Sequence, residues 1–408
     1  MELEAEIQTP QAESNTLTGY VSRVFNIEDI TWAGPKQSFV VRYRGHLIKD
    51  SAEAYDELAA WLRPHEITPV FRVEDERQTV LLMPYVIRPK ASNPWINLVL
   101  FVLTLLSMIF AGFLYSYEGP GMESIPSTLR TFLAHWTIGL VFAVSLLAIL
   151  LAHEFGHYLA GRYHKTHVTL PYFIPLPISY FGTMGAFIQL KEPPKNKRIL
   201  LDIGAAGPLA GLVVAIPVLL IGLYLSSVSS IPSFMPQGTG TMVEGNSLLY
   251  LFAKYITLGK LLPAPVSYNG LNPFIYWIRY FFTGRPYPMG GFDVYLHPMA
   301  WAGWAGLLVT ALNLIPAGQL DGGHVFYTLM GKKAARALLP VILVAMVLLG
   351  FVWSGWWLWA FLIFLLGRFY AEPLDQITKL DPRRRAISIL SLVIFLLVFI
   401  PVPLVLIG

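Results

Sequence analysis

The residues best suited to chemistry are His153-Glu154-Phe155-Gly156-His157, which close an apolar run beginning near Phe132. On a helix, side chains at i and i+4 share a face one turn apart, so both imidazoles can ligate a single metal ion. Glu154, beside the first of them, can hold or deprotonate an attacking water. Arg162 and Lys165 mark the end of the run. At ~1.5 Å per residue, His153 then lies roughly 12–14 Å inside that boundary. Ionisable groups at such depth in an apolar segment are costly and by default functional.

A catalytic zinc site takes three protein ligands and keeps one position open. The chain has no cysteine, so the third ligand is His, Asp or Glu. Glu192 and Asp202 flank the basic stretch 195–198 and belong near the interface, where Asp202 reads as a helix start. Asp293 falls on the far side. Asp321 stands in Asn313-Leu-Ile-Pro316-Ala-Gly318-Gln-Leu-Asp321-Gly322-Gly323-His324, about 11 residues before Lys332, a depth comparable to that of His153. Pro316, Gly318, Gly322 and Gly323 break this span and open its backbone. The expected centre has His153, His157 and Asp321 as ligands of one Zn2+ per chain, and Glu154 as general base. Asn313 has two readings: a donor to a developing oxyanion, or a cap for carbonyls at the helix break. His324 is expected to pack within the span, His164 and His167 to be solvated or interfacial, and His135 to lie too far away. Trp353, Trp356, Trp357 and Trp359 read as an interfacial belt.

The elements that position these groups are membrane helices. Of 408 residues, 55% are hydrophobic and 13% charged, against about 25% charged in soluble domains; mean hydropathy is +0.56. Continuous apolar runs of ~20 residues are helices rather than the alternating ~10-residue strands of a barrel. Spans are expected near 94–117, 132–161, 199–225, 297–331 (broken), 335–352, 354–370 and 386–406. Of the 29 Lys and Arg residues, 24 fall on the side that carries the N-terminus, which makes that side cytosolic by the positive-inside rule and the far end of the chain external. The net charge of +4 is too small to argue for nucleic acid. No internal repeat points to an inverted-repeat transporter.

Two segments depart from this pattern. Residues 168–190 are apolar but hold Pro171, Pro175 and Pro177, which rules out a regular helix and suits a β-hairpin dipping into the membrane beside a cavity. Residues 19–90 have soluble composition, with strands at 38–43, 67–73 and 78–86 and a helix at 51–62, so a small cytosolic α+β domain is expected there. Residues 1–18 read as a disordered polar tail, and residues 94–408 as the transmembrane domain with its core at 132–335. The fold class is therefore a polytopic α-helical membrane protein of about six to seven transmembrane helices, with a membrane-embedded β-hairpin and a small N-terminal α+β domain.

Between them, the His153–His157 motif, Asn313…Pro316…Leu320-Asp321-Gly322-Gly323, the Gly182-Thr183-Met184-Gly185-Ala186 element and Ala206-Gly207-Pro208 resemble the site-2 protease family of intramembrane zinc metalloproteases. The chain is especially similar to the branch with the ethylene-dependent gravitropism-deficient and yellow-green-like proteases and bacterial relatives. The resemblance implies cleavage of a transmembrane substrate helix near the cytosolic face, in regulated intramembrane proteolysis, with residues 182–186 pairing with the unwound substrate. Position 318 is Gly where many members carry a second Pro, and no peptide-binding domain is inserted between the core spans. The expected partners are a transmembrane substrate protein and the lipid bilayer, with no nucleic acid. The acidic N-terminus, with Glu2, Glu4, Glu6 and Glu13, favours a bacterial plasma membrane over an organelle precursor. The alternative is a membrane zinc-binding protein or transporter without protease activity, which needs no Glu154.

Overall fold

The computed structural model describes residues 10–34, 37–233, 241–268 and 270–407. The chain divides into two units, the first gathering Met1–Lys90, Leu190–Leu200 and Ala371–Asp381. It opens with helix α1 (Pro10–Ser22), where a polar tail was expected as far as residue 18. That expectation is corrected from Pro10 onward; residues 1–9 lie outside the described residues. The helix forms because Leu17 and Val21 are buried in this unit's core, and Thr18 Oγ1 hydrogen-bonds Tyr43 Oη at 3.0 Å.

Strands β1 (Phe25–Trp32) and β2 (Val41–Leu47), helix α2 (Ser51–Leu62) and strands β3 (Thr68–Glu74) and β4 (Arg77–Met83) follow. The sheet order is β1-β2-β4-β3, antiparallel throughout. Helix α2 is capped by the Asp50 side chain, which accepts from the Ala52 amide, rather than by Ser51. Its Ala54, Leu58 and Leu62 are fully buried, as the helical spacing predicts. Two later segments complete the unit. Residues 373–376 run along β3: the Phe71 amide donates to Leu374 and the Gln376 amide to Phe71. Asp375, fully buried, accepts hydrogen bonds from Ser51 Oγ (2.6 Å), the Ile377 amide (2.8 Å) and Thr378 Oγ1. The amide of Asp375 donates to Lys195. An edge strand is thus covered by chain more than 300 residues away in sequence.

The second unit carries the apolar helices. These are α3 (Pro94–Ser116), α4 (Ile125–His135) and α5 (Leu140–Tyr163), then strands β5 (Tyr172–Pro175) and β6 (Thr183–Phe187), then α6 (Lys197–Tyr224), which begins in the first unit. Next come β7 (Ser227–Ser230), β8 (Thr241–Glu244), α7 (Leu248–Leu258), α8 (Pro273–Thr283), β9 (Phe292–Tyr295), α9 (Pro298–Asn313), α10 (Asp321–Gly350), α11 (Gly355–Leu366), α12 (Pro382–Val398) and β10 (Leu404–Ile407). Among the described residues, four helical segments are long and apolar enough to cross a membrane: Pro94–Ser116, Ile125–Tyr163, Lys197–Tyr224 and Asp321–Gly350. The last is broken at Gly331 (φ 84°, ψ 169°), just before Lys332, where the sequence predicts the end of one span. The helix expected over 386–406 stops at Val398, because Pro401 and Pro403 cannot extend it.

Strand pairing ties distant parts of this unit together. Strands β7 and β9 pair antiparallel, as do β8 and β10. Within 168–190, β5 and β6 form a two-stranded antiparallel pair with a turn at Gly182 (φ 72°). Ser107 Oγ of α3 donates to the Gly182 carbonyl at 2.5 Å, and Asn97 Nδ2 donates to the carbonyls of Leu170 and Pro171 at 2.9 Å. These bonds satisfy non-helical backbone inside an apolar unit. The tryptophan belt is corrected in part: Trp356 is 1% exposed, stacks on Phe399 and donates its indole N–H to Pro401 at 2.7 Å. It is a packing residue, because the returning chain at 399–401 covers it.

Candidate metal centre

Helix α5 presents His153, Glu154 and His157, all buried. Asp321 enters from the first turn of α10, where the helix dipole favours a carboxylate. His153 Nε2 and His157 Nε2 each lie 3.3 Å from Asp321 Oδ2, and 3.2 Å from one another. Among the described residues these three form the one group of His and carboxylate atoms close enough to share a metal.

The geometry fits zinc. Bonds of about 2.0–2.1 Å at tetrahedral angles set ligand atoms about 3.3 Å apart. The donor chemistry fits as well. His157 Nδ1 lies 2.7 Å from the Ile203 carbonyl, which only accepts, so Nδ1 carries the proton and Nε2 offers its lone pair to the cluster. His157 Nε2 and Asp321 Oδ2 thus turn lone pairs toward one point, beside His153 Nε2. Glu154 Oε2 is buried without a hydrogen-bond partner, on the same turn of α5. A buried, unpaired carboxylate oxygen is costly unless a ligand or water engages it.

Asn313, the last residue of α9, places Nδ2 3.2 Å from His153 Nε2, so its carboxamide faces the ligand cluster. Helix α6 closes the back of the site. A Cβ at Gly207 would sit 2.0 Å from His157 Nε2, and one at Gly211 would sit 3.1 Å from His153 Cβ. Only glycine admits the imidazole at position 207. Both glycines of α6 thus lie against candidate metal ligands. His324 is partly buried, with its Cβ against Gly204, in keeping with a packing role.

The other candidates lie elsewhere. Asp293 accepts from Tyr287 Oη and the Val294 amide on β9. Asp202 holds Arg384 and His164. His164, expected to be solvated or interfacial, is paired and only partly exposed: its Nε2 lies 2.8 Å from Asp202 Oδ2, and its side chain is 15% exposed. Sequence spacing gives no sign of this bond, which joins residues 38 apart. Of the 182–186 segment, Gly182 forms the turn and Thr183, Met184, Gly185 and Ala186 lie in β6, which packs against α5 and, among the described residues, pairs with β5 alone. Thr183 Oγ1 donates to Ile174 and accepts from the Gly185 amide, while Met184 is 66% exposed.

The profile of Peptidase family M50 matches residues 141–352, which include both histidines, Glu154 and Asp321. A protein of Oryza sativa subsp. japonica named probable zinc metalloprotease EGY1, chloroplastic, is 30% identical over 339 residues, covering 79% of this chain and 53% of its own. Its Arabidopsis thaliana namesake is 27% identical over 386 residues, 90% of this chain and 64% of its own. The Arabidopsis thaliana probable zinc metalloprotease EGY2, chloroplastic, is 30% identical over 270 residues, 65% of this chain and 42% of its own. The chain spans about half to two-thirds of the length of the first two of these relatives. Their names place them in chloroplasts, and the bacterial plasma membrane expected from the acidic N-terminus draws no support from them. No solved structure matches the chain. The zinc-compatible ligand set on α5 and α10 thus falls inside the matched region, and the chain belongs to Peptidase family M50.

Proposed function

We propose that this chain is an intramembrane zinc metalloprotease that hydrolyses a peptide bond within or near a transmembrane helix of a substrate protein, as a step of regulated intramembrane proteolysis. The observation that carries the reading is the convergence of His153, His157 and Asp321 at zinc-compatible distances beside Glu154, whose buried Oε2 has no hydrogen-bond partner among the described residues. Zinc, when bound, supplies Lewis-acid polarisation of the scissile carbonyl and acidifies the attacking water. Glu154 takes a proton from that water and returns it to the leaving amide nitrogen as the C–N bond breaks. Asn313 faces the same cluster and is assigned to the developing oxyanion, stabilised by its side-chain amide.

A substrate helix hides its backbone amides and must unwind before attack. Strand β6, with one edge paired to β5, offers the other edge to an extended segment by β-augmentation. Seven crossings, with the first unit cytosolic and the active-site end of α5 facing that side, account for the distribution of 24 basic residues. The pairing of β8 with β10 and of β7 with β9, and the gathering of 190–200 and 371–381 with the N-terminal domain, support the same count.

The test pairs zinc analysis with catalysis. Wild-type chain purified in detergent is expected to hold about one zinc, and Glu154→Gln to keep it while hydrolysis falls by about 10²–10⁴. Unimpaired cleavage by Glu154→Gln sinks the mechanism. A wild type that takes up no zinc sinks the protease reading altogether.

A further inference from the structure

Helix α6 touches the metal ligand His157 at two places one turn apart. The Ile203 carbonyl lies 2.7 Å from Nδ1, and Gly207 leaves no room for a methyl against Nε2. The ring is framed by α6 backbone, so its position follows the position of that helix along α5. What holds the start of α6 therefore sets the aim of a zinc ligand.

The residue before Ile203 supplies the hold. Asp202 leans toward the helix N-terminus, as helical side chains do, and its carboxylate receives a fork from Arg384 of α12. Arg384 Nε donates to Oδ1 at 2.9 Å, and Nη2 donates to Oδ2 at 2.6 Å. His164, which caps α5, places Nε2 2.8 Å from the same Oδ2. Two rungs thus join α5 to α6, His157 to the Ile203 carbonyl and His164 to Asp202, and Arg384 fastens the second to α12. A two-pronged guanidinium–carboxylate pair fixes orientation as well as distance.

We propose that Arg384 is a positioning residue for the metal ligand His157, acting through Asp202 and the Ile203 carbonyl. The inference rests on the zinc reading above. Loss of the fork lets the first turn of α6 shift along α5, and the carbonyl that aims His157 moves with it. Groups that orient a ligating imidazole are worth about 10–100-fold in metal affinity. Arg384 acts one step further out, so the lower end of that range applies.

The test measures zinc affinity of the full chain in detergent by competition with a chromophoric chelator, alongside thermal unfolding of the zinc-free protein. Arg384→Ala and Asp202→Ala are each expected to bind zinc about tenfold more weakly. The double variant should be no weaker than Asp202→Ala, which removes the Arg384 fork together with the His164 rung. Arg384→Lys keeps the charge without the fork and should fall between wild type and Arg384→Ala. A lowered unfolding midpoint with zinc affinity unchanged in Arg384→Ala overturns the proposal and leaves Arg384 as an anchor for α12 alone. If Arg384→Ala does not fold, Arg384→Lys carries the test, and wild-type affinity in that variant overturns it. Equal affinity in wild type and variants defeats this inference only; a wild type that binds no zinc defeats the zinc reading and this inference together.

Discussion

Two buried clusters of ionisable groups in the second unit make an instructive pair. One is His153, His157, Asp321 and Glu154. The other joins Glu244 of β8, Tyr250 and Lys254 of α7 and Asp293 of β9, all buried. The second cluster carries its own cation. Lys254 Nζ lies 3.7 Å from Glu244 Oε1 and 4.2 Å from the centroid of the Tyr250 ring. Tyr250 Oη donates to Glu244 at 2.8 Å, and Tyr287 Oη to Asp293 at 3.1 Å. Such a cluster is a staple: it joins β8, α7 and β9, and Trp304 of α9 adds a bond to the Gly245 carbonyl at 2.8 Å. The first cluster holds no ammonium or guanidinium, and its two Nε2 atoms and Asp321 Oδ2 converge within 3.3 Å, a set that one divalent cation would bridge. Buried charge by itself does not mark a metal site; the convergence of imidazole and carboxylate atoms on one point does.

The largest expected effect breaks the first cluster. Asp321→Ala leaves two imidazoles, too few to hold a catalytic zinc. Zinc content after dialysis should fall from about one per chain to near none, while the fluorescence-detected unfolding of the Glu244 region is unchanged. Full zinc retention would transfer the third-ligand role away from Asp321.

Lys254→Met makes the converse break. It strands two buried carboxylates, and loss of one member of a buried ion pair costs about 3–5 kcal/mol. Chemical unfolding in detergent should show that loss with zinc stoichiometry intact, and the added change Glu244→Gln should recover part of it. A neutral effect of Lys254→Met would mean that the second cluster holds nothing together.

The smallest effect sharpens the comparison through pH. Burial pushes the Glu244 carboxyl up to about 7, against ~4.3 in an unfolded chain. Between these values the folded state holds a proton that the unfolded state has lost, so this cluster's stability falls as pH rises from ~4.3 toward 7. Zinc binding runs the other way, since protons compete for the imidazoles and affinity weakens as pH falls. The unfolding midpoint of the zinc-free protein should drop by a few degrees as pH rises across that window. Glu244→Gln should flatten the dependence; an unchanged slope would remove Glu244 as its source.

Much of the site was legible because its logic is local. Two imidazoles at i and i+4 share a helix face whatever the rest of the chain does. The breaks at Pro316 and Gly318 were readable as residue chemistry, and so was the inability of 168–190 to form a helix. Asp321 could be nominated from its depth, but only the fold sets its oxygen 3.3 Å from both rings. The polar tail was misread at residues 10–18 because α1 has little amphipathic character of its own; Leu17 and Val21 are buried where α1 packs on β1 and α2.

The sequence by itself determined the membrane class and the helix that carries the candidate ligands and Glu154, because composition, period and spacing act over one or two helical turns. Tertiary structure alone decided the remainder: Gly207 against His157, Arg384 on Asp202, residues 371–381 against β3, and β10 beside β8. Each of these joins residues from 50 to more than 300 positions apart. No local propensity encodes such a meeting, which arises only when apolar faces pack and the buried polar groups left over must find partners.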